Sequence, residues 1–242
     1  ALYVFIRSVL RVIKQYGPEH FIVVFDGPNN SKKRKELYPE YKANRSATPS
    51  DLLPQLIMAQ EFCKEASIPM LALHDVEADD TMGAVAVWAS QHDFVSYLCT
   101  SDKDLCQCIN DTVFVLNIHK DDKLLDSAAV KEHYGIPPEL IIDFLAMTGD
   151  TSDNIPGFPG IGPKTATALL QEYGSLDGVI ANAASIKAKK RRENIQQNVD
   201  RALLSRDLVT IDTTVEIPQE ESFFVLKDGD METLQSFYEK YE

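Results

Sequence analysis

The sequence has few cysteines and no long apolar run. Its four cysteines form no C-x-x-C pair and no histidines flank them at zinc-finger spacing, so we expect reduced thiols rather than disulfides or a zinc site. No stretch of about 18 apolar residues is present, which excludes a membrane-spanning helix. The apolar N-terminal segment is interrupted by Arg7 and Arg11 and does not fit a secretory signal. We therefore predict a cytoplasmic protein without a membrane partner.

Positive charge is also scarce. There are 24 Lys and Arg against 37 Asp and Glu, which gives a formal net charge of -13. Taken alone this argues against nucleic acid as a partner, because phosphate binding requires a positive surface. The basic residues are nevertheless concentrated in two runs, Lys32 to Lys35 and Lys187 to Arg192. This distribution keeps nucleic acid open as a partner.

A chain of 242 residues that is 44% hydrophobic can form one large domain, or a core domain with a smaller one appended. Short apolar runs typical of buried strands alternate with segments of helical periodicity. The strand-like runs are His20 to Phe25, Met70 to Leu73, Phe94 to Cys99 and Val113 to Asn117, and the helical segments are Leu2 to Ile13, Leu52 to Ala66 and Thr81 to Ala89. This alternation predicts an α/β fold with a mainly parallel central sheet and helices on both faces.

The character of the sequence changes after about Asp126, where short helices replace strands. We predict an α/β core over 1–126 that includes a basic segment at about 29–45, a helical subdomain over 127–207, and a return to the core with the start of a linker over 208–242. In the last part, Leu208 to Ile217 has β character and Asp230 to Tyr241 fits a closing helix. The chain opens within a helix, so we expect a further strand upstream.

Acidic residues follow three of the predicted strands, and two more lie in a loop of the helical part. They are Asp26, Glu77, Asp79, Asp80, Asp102, Asp104, Asp150 and Asp153. Because ligands collect beyond the carboxyl ends of parallel strands, we expect the strand-end acids to converge. Two carboxylates about 6 Å apart repel by roughly 2 to 3 kcal/mol at an effective dielectric near 20, so a cluster would need cations. The alternative is that single acids, such as Asp79, cap helices or face water.

The chemistry of these acids indicates which cations they would hold. A ligand set of oxygens without His or Cys favours Mg²⁺ or Mn²⁺ over zinc. Two such ions about 4 Å apart could ionise an attacking water and stabilise a leaving oxygen.

A glycine-rich turn follows the Asp150/Asp153 pair. It consists of Gly160, Ile161, Gly162, Pro163, Lys164 and Thr165. A glycine turn that opens onto a helix N-terminus presents backbone N–H groups to a phosphate, so we predict sequence-independent contact with a nucleic-acid backbone. The downstream cations Lys189, Lys190 and Arg191 would extend that surface. The alternative is an ordinary helix connection, and a Walker A loop is excluded by the spacing.

The basic segment combines cations with aromatic rings. Its cations Lys32, Lys33, Lys35, Lys42 and Arg45 are interleaved with Tyr38 and Tyr41. Tyrosine rings can stack on unpaired bases while cations follow phosphates, which favours single-stranded nucleic acid as a ligand. The alternative is a solvated basic helix face, which Pro39 would interrupt.

Six motifs together resemble a known family. They are Val24 to Asp26, Tyr41 to Arg45, Val76 to Asp80, Thr100 to Asp104, Thr148 to Gly157 and Gly160 to Ala166. In this order, and over nearly the whole chain, they closely resemble the structure-specific 5′ nuclease, or flap endonuclease, family. Within it, the resemblance is to the 5′-3′ exonuclease domains of bacterial DNA polymerase I.

The resemblance implies a PIN-like core with a two-metal active site. Residues matching the first metal site are Asp26, Glu77, Asp79, Asp80 and Asp102, and those matching the second are Asp104, Asp150 and Asp153. The basic segment resembles the family's helical arch, in which Lys42 and Arg34 match residues that contact the scissile phosphate. The implied catalytic residues are Lys42, Arg34 and Asp26. The glycine-rich turn matches the helix-three-turn-helix element, which implies a monovalent cation at Gly160 to Gly162.

The implied function is hydrolysis of DNA and RNA-primer phosphodiesters by a 5′-3′ exonuclease or 5′-flap endonuclease in replication and repair. The implied partners are DNA with a 5′ flap, nick or RNA primer in the bacterial nucleoid, and a covalently linked C-terminal polymerase domain. The family's leading strand and its metal-binding Asp have no match here, so we expect impaired catalysis and stability. Two alternatives remain: a non-catalytic module for branched DNA, and a related metal-dependent ribonuclease, which would not require the helix-three-turn-helix turn.

Overall fold

The computed structural model describes residues 1–227 together with 229, 235, 237, 239 and 240. It divides into two compact units that are interleaved along the chain. The first unit comprises Ala1–Asn30, Ser46–Met82 and Thr214–Glu242, and the second comprises Ser31–Arg45 and Gly83–Thr213. The basic segment therefore groups with the helical part of the chain, and the residues from Thr214 onward group with the N-terminal part.

Helices dominate the described residues. The α-helices are α1 (Leu2–Tyr16), α2 (Lys32–Leu37), α3 (Leu52–Glu65), α4 (Ala78–Gln91), α5 (Ser127–Tyr134), α6 (Ile141–Thr148), α7 (Pro163–Tyr173), α8 (Leu176–Ala181), α9 (Lys189–Gln197) and α10 (Val199–Val209). The strands are β1 (Val23–Val24), β2 (Met70–Leu71), β3 (Ser96–Leu98), β4 (Val113–Asn117) and β5 (Lys123–Leu125). Short 3-10 helices cover Asp104–Cys108, Pro138–Leu140, Ala183–Ser185 and Glu221–Phe223.

In the first unit, β1 and β2 pair in parallel, as the sequence predicts. Helices α1 and α3 contribute to one apolar core, whose buried members include Ile6, Val9, Phe62, Cys63, Ala66 and Ile68. Helix α1 ends at Gly17, which adopts φ 54° and donates its N–H to the carbonyl of Ile13. After β1, the backbone at Gly27 lies close to the segment that follows β2, since a Cβ on Gly27 would collide with the carbonyl of Leu73. This contact keeps the residues that follow the two strands close together.

In the second unit, β4 pairs in parallel with β3 and antiparallel with β5. The α/β fold class and the parallel pairing are confirmed, but the predicted central sheet is described as two short sheets, β1-β2 and β3-β4-β5. Strand β5 was not predicted, because Lys123–Leu125 is too short to show a period of two. Among the described strands, none links β2 to β3 by hydrogen bonds.

The helical part of the second unit packs α10 and α7 against α6. Its buried side chains include Ile141, Leu145, Met147, Leu170, Leu176 and Leu208. The β character predicted for Leu208 to Ile217 is wrong, because Leu208 and Val209 are the last residues of α10 and 210–217 contains no strand. The closing helix predicted over Asp230 to Tyr241 falls mainly outside the described residues. Every described helix is too short or too polar to cross a bilayer.

Candidate active site

The first unit carries Asp26, Glu77, Asp79 and Asp80, which we call the first acidic group. Asp26 follows β1 directly, and its Oδ1 accepts a hydrogen bond of 3.0 Å from the N–H of Ala78, the first residue of α4. This is the helix-capping role that the sequence left open, and it brings the β1 end to the start of α4. This hydrogen bond therefore holds two of the predicted ligand motifs, Val24 to Asp26 and Val76 to Asp80, next to each other.

Two members of the first acidic group are buried, namely Glu77 and Asp80, whereas Asp26 is exposed. Thr81 Oγ1 donates to the backbone carbonyl of Glu77 across the first turn of α4, at 3.3 Å. A carboxylate removed from water is costly unless a cation or several donors compensate it. Two acids are therefore buried next to each other at the start of one helix.

The second unit carries Asp102, Asp104, Asp150 and Asp153, which we call the second acidic group. Past β3, the hydroxyl of Thr100 accepts from the N–H of Asp102, and Asp102 Oδ1 accepts from the N–H of Asp104, both at 3.0 Å. Such local turns fix alternate carboxylates in one loop. The side-chain amide of Gln107 ties this loop to α10, since it donates to the carbonyls of Asp104 and Val209.

Asp104 has an unusual environment. Its Oδ1 is buried and has no hydrogen-bond partner among the described residues. Burial, and after it the charge of Asp102, raises the pKa of Asp104 from 3.8 to about 7. A buried carboxylate oxygen that accepts no hydrogen bond is chemically suited to be one ligand of a hard divalent ion.

The other two acids stand on the acid loop, which we define as Gly149 to Gly157. Asp150 and Ile155 exchange two backbone hydrogen bonds across it, of 3.0 and 2.7 Å. Gly149 and Gly157 have φ of 69° and 56°. A Cβ on either glycine would collide with backbone, with the Ile155 carbonyl for Gly149 and with the Gly149 nitrogen for Gly157. The loop is therefore packed onto itself, which holds its acids in fixed positions.

Asp150 is the most firmly held acid of the loop. Its side chain is 6% exposed, and Oδ2 lies 2.6 Å from the ammonium of Lys103. Oδ1 accepts from the N–H and the hydroxyl of Ser152 at 2.7 and 2.5 Å. Burial raises the pKa of Asp150, but the hydrogen bonds from Lys103 and Ser152 outweigh it and hold the pKa below its ordinary value. Conversely, burial lowers the pKa of Lys103 and the contact with Asp150 raises it above its ordinary value.

Asp153 connects the acid loop to the basic segment. Its carboxylate pairs with Arg45, lies 3.7 Å from the ammonium of Lys42, and accepts from the hydroxyl of Tyr41 at 3.2 Å. The N–H of Lys42 also donates to the Asp153 carbonyl, at 2.9 Å. The sequence prediction that Tyr41 offers a stacking surface is wrong, because its side chain is 2% exposed. Tyr38 remains partly exposed and donates its hydroxyl to Glu40.

Arg34 is engaged at the end of α10. Its guanidinium donates to the carbonyls of Leu208 and Thr210 at 2.9 and 3.0 Å, which caps that helix. A contact between Arg34 and a scissile phosphate stays a prediction. Lys33 pairs with Asp212 at 3.1 Å. The remaining cations of α2, Lys32 and Lys35, are exposed.

The glycine-rich turn, Gly160 to Thr165, is open. A Cβ placed on Gly160 or Gly162 would meet no atom within 4 Å. Gly162 is the N-cap of α7, Pro163 is its first residue, and Lys164 is exposed. The side chain of Ile161 is only 4% exposed, so the predicted role of Ile161 in DNA contact is restricted to its backbone. An open turn of this kind allows a phosphate to approach the helix N-terminus.

The second basic run forms the start of α9. Lys189, Lys190 and Arg191 are exposed there, and Lys189 lies 3.9 Å from Glu193 one turn later. These cations are placed on the unit that also carries the open turn. A role in DNA contact stays a prediction.

Two acids of the second acidic group, Asp150 and Asp153, are paired with protein cations. Among the described residues, no three His, Cys, Asp or Glu side chains are close enough together to hold a metal ion. In the second acidic group, Lys103 holds Asp150 and Arg45 holds Asp153. Sequence reasoning missed Lys103, although its place between Asp102 and Asp104 in T-S-D-K-D was a visible signal.

The comparisons with known proteins define the class. The 5′-3′ exonuclease N-terminal, resolvase-like domain matches residues 1–135, and the 5′-3′ exonuclease C-terminal SAM fold matches residues 136–232. The chain therefore belongs to the 5′-3′ exonuclease family, whose members are metal-dependent nucleases.

Individual relatives agree with this assignment. DNA polymerase I of Rhizobium leguminosarum is 42% identical over 93% of this chain, which spans 22% of that protein. The 5′-3′ exonuclease of Aquifex aeolicus is 34% identical over the whole chain, which spans 82% of that enzyme. The T5 5′-exonuclease with bound zinc superposes with a TM-score of 0.76 at 23% identity, covering 99% of this chain and 89% of the other. A complex of the T5 flap endonuclease with DNA and metal ions superposes with a TM-score of 0.72 at 23% identity, and it covers 99% of this chain and 89% of the other.

Proposed function

We propose that this chain is a 5′-3′ exonuclease and 5′-flap endonuclease that hydrolyses phosphodiesters of DNA and RNA primers in replication and repair. One observation carries the proposal: Asp104 in the second acidic group has a buried carboxylate oxygen that accepts no hydrogen bond from the part of the chain that the structure describes. Family membership over both domains supports the same activity.

Divalent ions are the proposed cofactors, since Asp104 Oδ1 is suited to ligate one and the T5 5′-exonuclease binds zinc. We assign Mg²⁺ or Mn²⁺, because the predicted ligands are all oxygens. The first ion would be held by Asp26, Glu77, Asp79, Asp80 and Asp102, and the second by Asp104, Asp150 and Asp153. When bound, two such ions supply an ionised water and a Lewis acid for the leaving oxygen. A monovalent cation at Gly160 to Gly162 completes the proposed set.

The side chains of the second unit divide the remaining work. Ser152 fixes the orientation of Asp150, and the packed acid loop keeps Asp150 and Asp153 in register. Lys42 and Arg45 place positive charge beside Asp153, where a scissile phosphate would need neutralisation. The open turn and Lys164 would hold the phosphates of a duplex without reading its bases.

The substrate follows from these parts. Packed acids with adjacent cations favour a phosphodiester, and a separate backbone-binding turn favours duplex DNA with a 5′ flap, nick or RNA primer. A covalently linked polymerase is proposed from the DNA polymerase I relatives, of which this chain matches only a part. Location at the bacterial nucleoid follows from that role and stays a prediction.

Cleavage of a 5′-end-labelled flap duplex tests the proposal, with product length read on a gel. We expect short 5′ products with Mg²⁺ and none with EDTA. Asp104→Asn should abolish cleavage, whereas the matched control Asp111→Asn, an exposed acid of the same unit, should cleave like the wild type.

The same assay separates the alternatives. Flap binding without any Mg²⁺-dependent cleavage would identify a non-catalytic branched-DNA module. Preference for single-stranded RNA over flap DNA in a competition would identify a ribonuclease. Undiminished cleavage by Asp104→Asn would refute the metal assignment.

A further inference from the structure

The acid loop receives a cation from a distant part of the chain. Lys103 stands between two predicted ligands, Asp102 and Asp104, yet its ammonium contacts Asp150 Oδ2 at 2.6 Å. Ser152 already satisfies the other oxygen of Asp150 with two hydrogen bonds. A charge-assisted bond of this length to a buried carboxylate is among the stronger polar contacts in a protein. Lys103 thus pairs with Oδ2 of Asp150, the oxygen that does not bind Ser152.

Lys103 is also able to leave. Its side chain is 44% exposed, whereas that of Asp150 is 6% exposed, so solvent can receive the ammonium while the carboxylate stays in place. Lysine carries a compact charge on a flexible four-carbon stem, which suits reversible pairing. Asp102 and Asp104 act on the same ammonium through their charges. The ammonium therefore pairs with Asp150, and two further acids flank Lys103 in the chain.

We propose that Lys103 is the resident counter-cation of the second acidic group, and that a divalent ion binding at Asp104 and Asp150 displaces its ammonium from Asp150. This inference rests on the proposed function, which assigns a divalent ion to these carboxylates. Lys103 opposes metal binding in two ways. Its contact with Asp150 must break, and its ammonium repels the incoming ion. Lys103 thereby sets the metal concentration at which the second site fills, and it keeps the acids neutralised until then.

A purely structural ion pair would behave differently. Its removal would lower the melting temperature equally with and without metal, and it would leave the metal affinity unchanged. A counter-cation that is displaced stabilises only the metal-free state. Its removal should lower the melting temperature without metal, and saturating metal should close the gap.

The decisive experiment is a calorimetric titration of the whole metal-free chain with Mn²⁺. Lys103→Met removes the charge and keeps the stem, and we expect it to bind Mn²⁺ about tenfold more tightly than the wild type, a size typical of removing one nearby unit charge at partial exposure. Lys103→Arg retains the charge and should stay near the wild-type affinity. Lys131→Met, an exposed lysine on α5, is the matched control and should not change it.

Asp150→Asn separates this inference from the proposed function. If Asp150→Asn weakens Mn²⁺ binding but Lys103→Met leaves it unchanged or weaker, the metal site stands and the counter-cation role is overturned. If Asp150→Asn and Asp104→Asn both titrate like the wild type, the metal site itself is wrong. Should Lys103→Met fail to fold, Lys103→Gln makes the same comparison, and an affinity equal to the wild type again overturns the role.

Discussion

Two glycine-containing segments follow one another in the chain, and they are built in opposite ways. In the acid loop, Gly149 and Gly157 are glycines because backbone presses against them. In the open turn, a Cβ on Gly160 or Gly162 would meet no other described atom within 4 Å. Sequence composition does not separate the two. The first segment therefore holds its carboxylates still, whereas the second leaves the space that its proposed contact with a phosphate backbone requires.

The largest expected effect is on chemistry in the acid loop. Asp150→Asn should reduce Mg²⁺-dependent flap cleavage more than a hundredfold, because even outer-shell partners of a metal ligand typically contribute about 10- to 100-fold. Flap affinity, measured by fluorescence anisotropy in Ca²⁺ or EDTA, should change little. A near wild-type cleavage rate for Asp150→Asn would contradict a catalytic role for the acid loop.

The two kinds of glycine should differ in what they contribute to folding. Gly157→Ala forces a side chain into a left-handed conformation and against backbone, so we expect a loss of about 2 to 3 kcal/mol in unfolding free energy. Gly162→Ala, at φ -92° and facing open space, should lose less than about 1 kcal/mol. Urea unfolding of both variants measures the difference. Equal losses would mean that the acid loop is not the more tightly packed segment.

Of the two regions compared, only the second acidic group should make the stability of the protein depend on pH. The pKa of Asp104 is raised from 3.8 to about 7, so the folded state binds this proton more tightly than the unfolded state does. The stability that it contributes is complete below pH 3.8 and is lost as the pH rises to about 7. Urea unfolding in EDTA should therefore show a shallower decline over this window for Asp104→Asn than for the wild type. Parallel pH profiles would contradict the assigned pKa.

The smallest expected effect lies in the open turn. Lys164→Met removes one exposed cation, so we expect a few-fold loss of duplex affinity and a decrease of about one in the slope of log affinity against log salt. Lys131→Met again provides the control. Anisotropy titrations over a salt series measure both quantities, and an unchanged slope would remove Lys164 from the phosphate contacts.

Features that depend on neighbouring residues could be predicted from the sequence, whereas features that depend on residues far away in the chain could not. The end of α1 at Gly17 and the start of α7 at Pro163 were predictable, because both depend on neighbouring residues. The burial of Tyr41 was not, because it depends on Asp153, which lies 112 residues further on. The same holds for Lys103, whose partner is Asp150.

The acidic motifs themselves were recognisable from their place after strands. Local patterns placed Asp26 at the end of β1 and Asp102 beyond β3. They did not show that Lys103 holds Asp150 and Arg45 holds Asp153, since that requires the loop after β3 and the basic segment to meet the acid loop. Strand β5 and the helical state of Leu208 were missed for a similar reason, because tertiary packing decides them.

Single-turnover flap cleavage with increasing excess of protein tests the central claim most directly, namely that the second acidic group performs the chemistry and the open turn holds the duplex. We predict that Lys164→Met reaches the wild-type rate once protein is saturating, whereas Asp104→Asn stays more than about a hundredfold slower at every concentration. Recovery of Asp104→Asn at saturation, or a persistent rate defect in Lys164→Met, would contradict this division of roles.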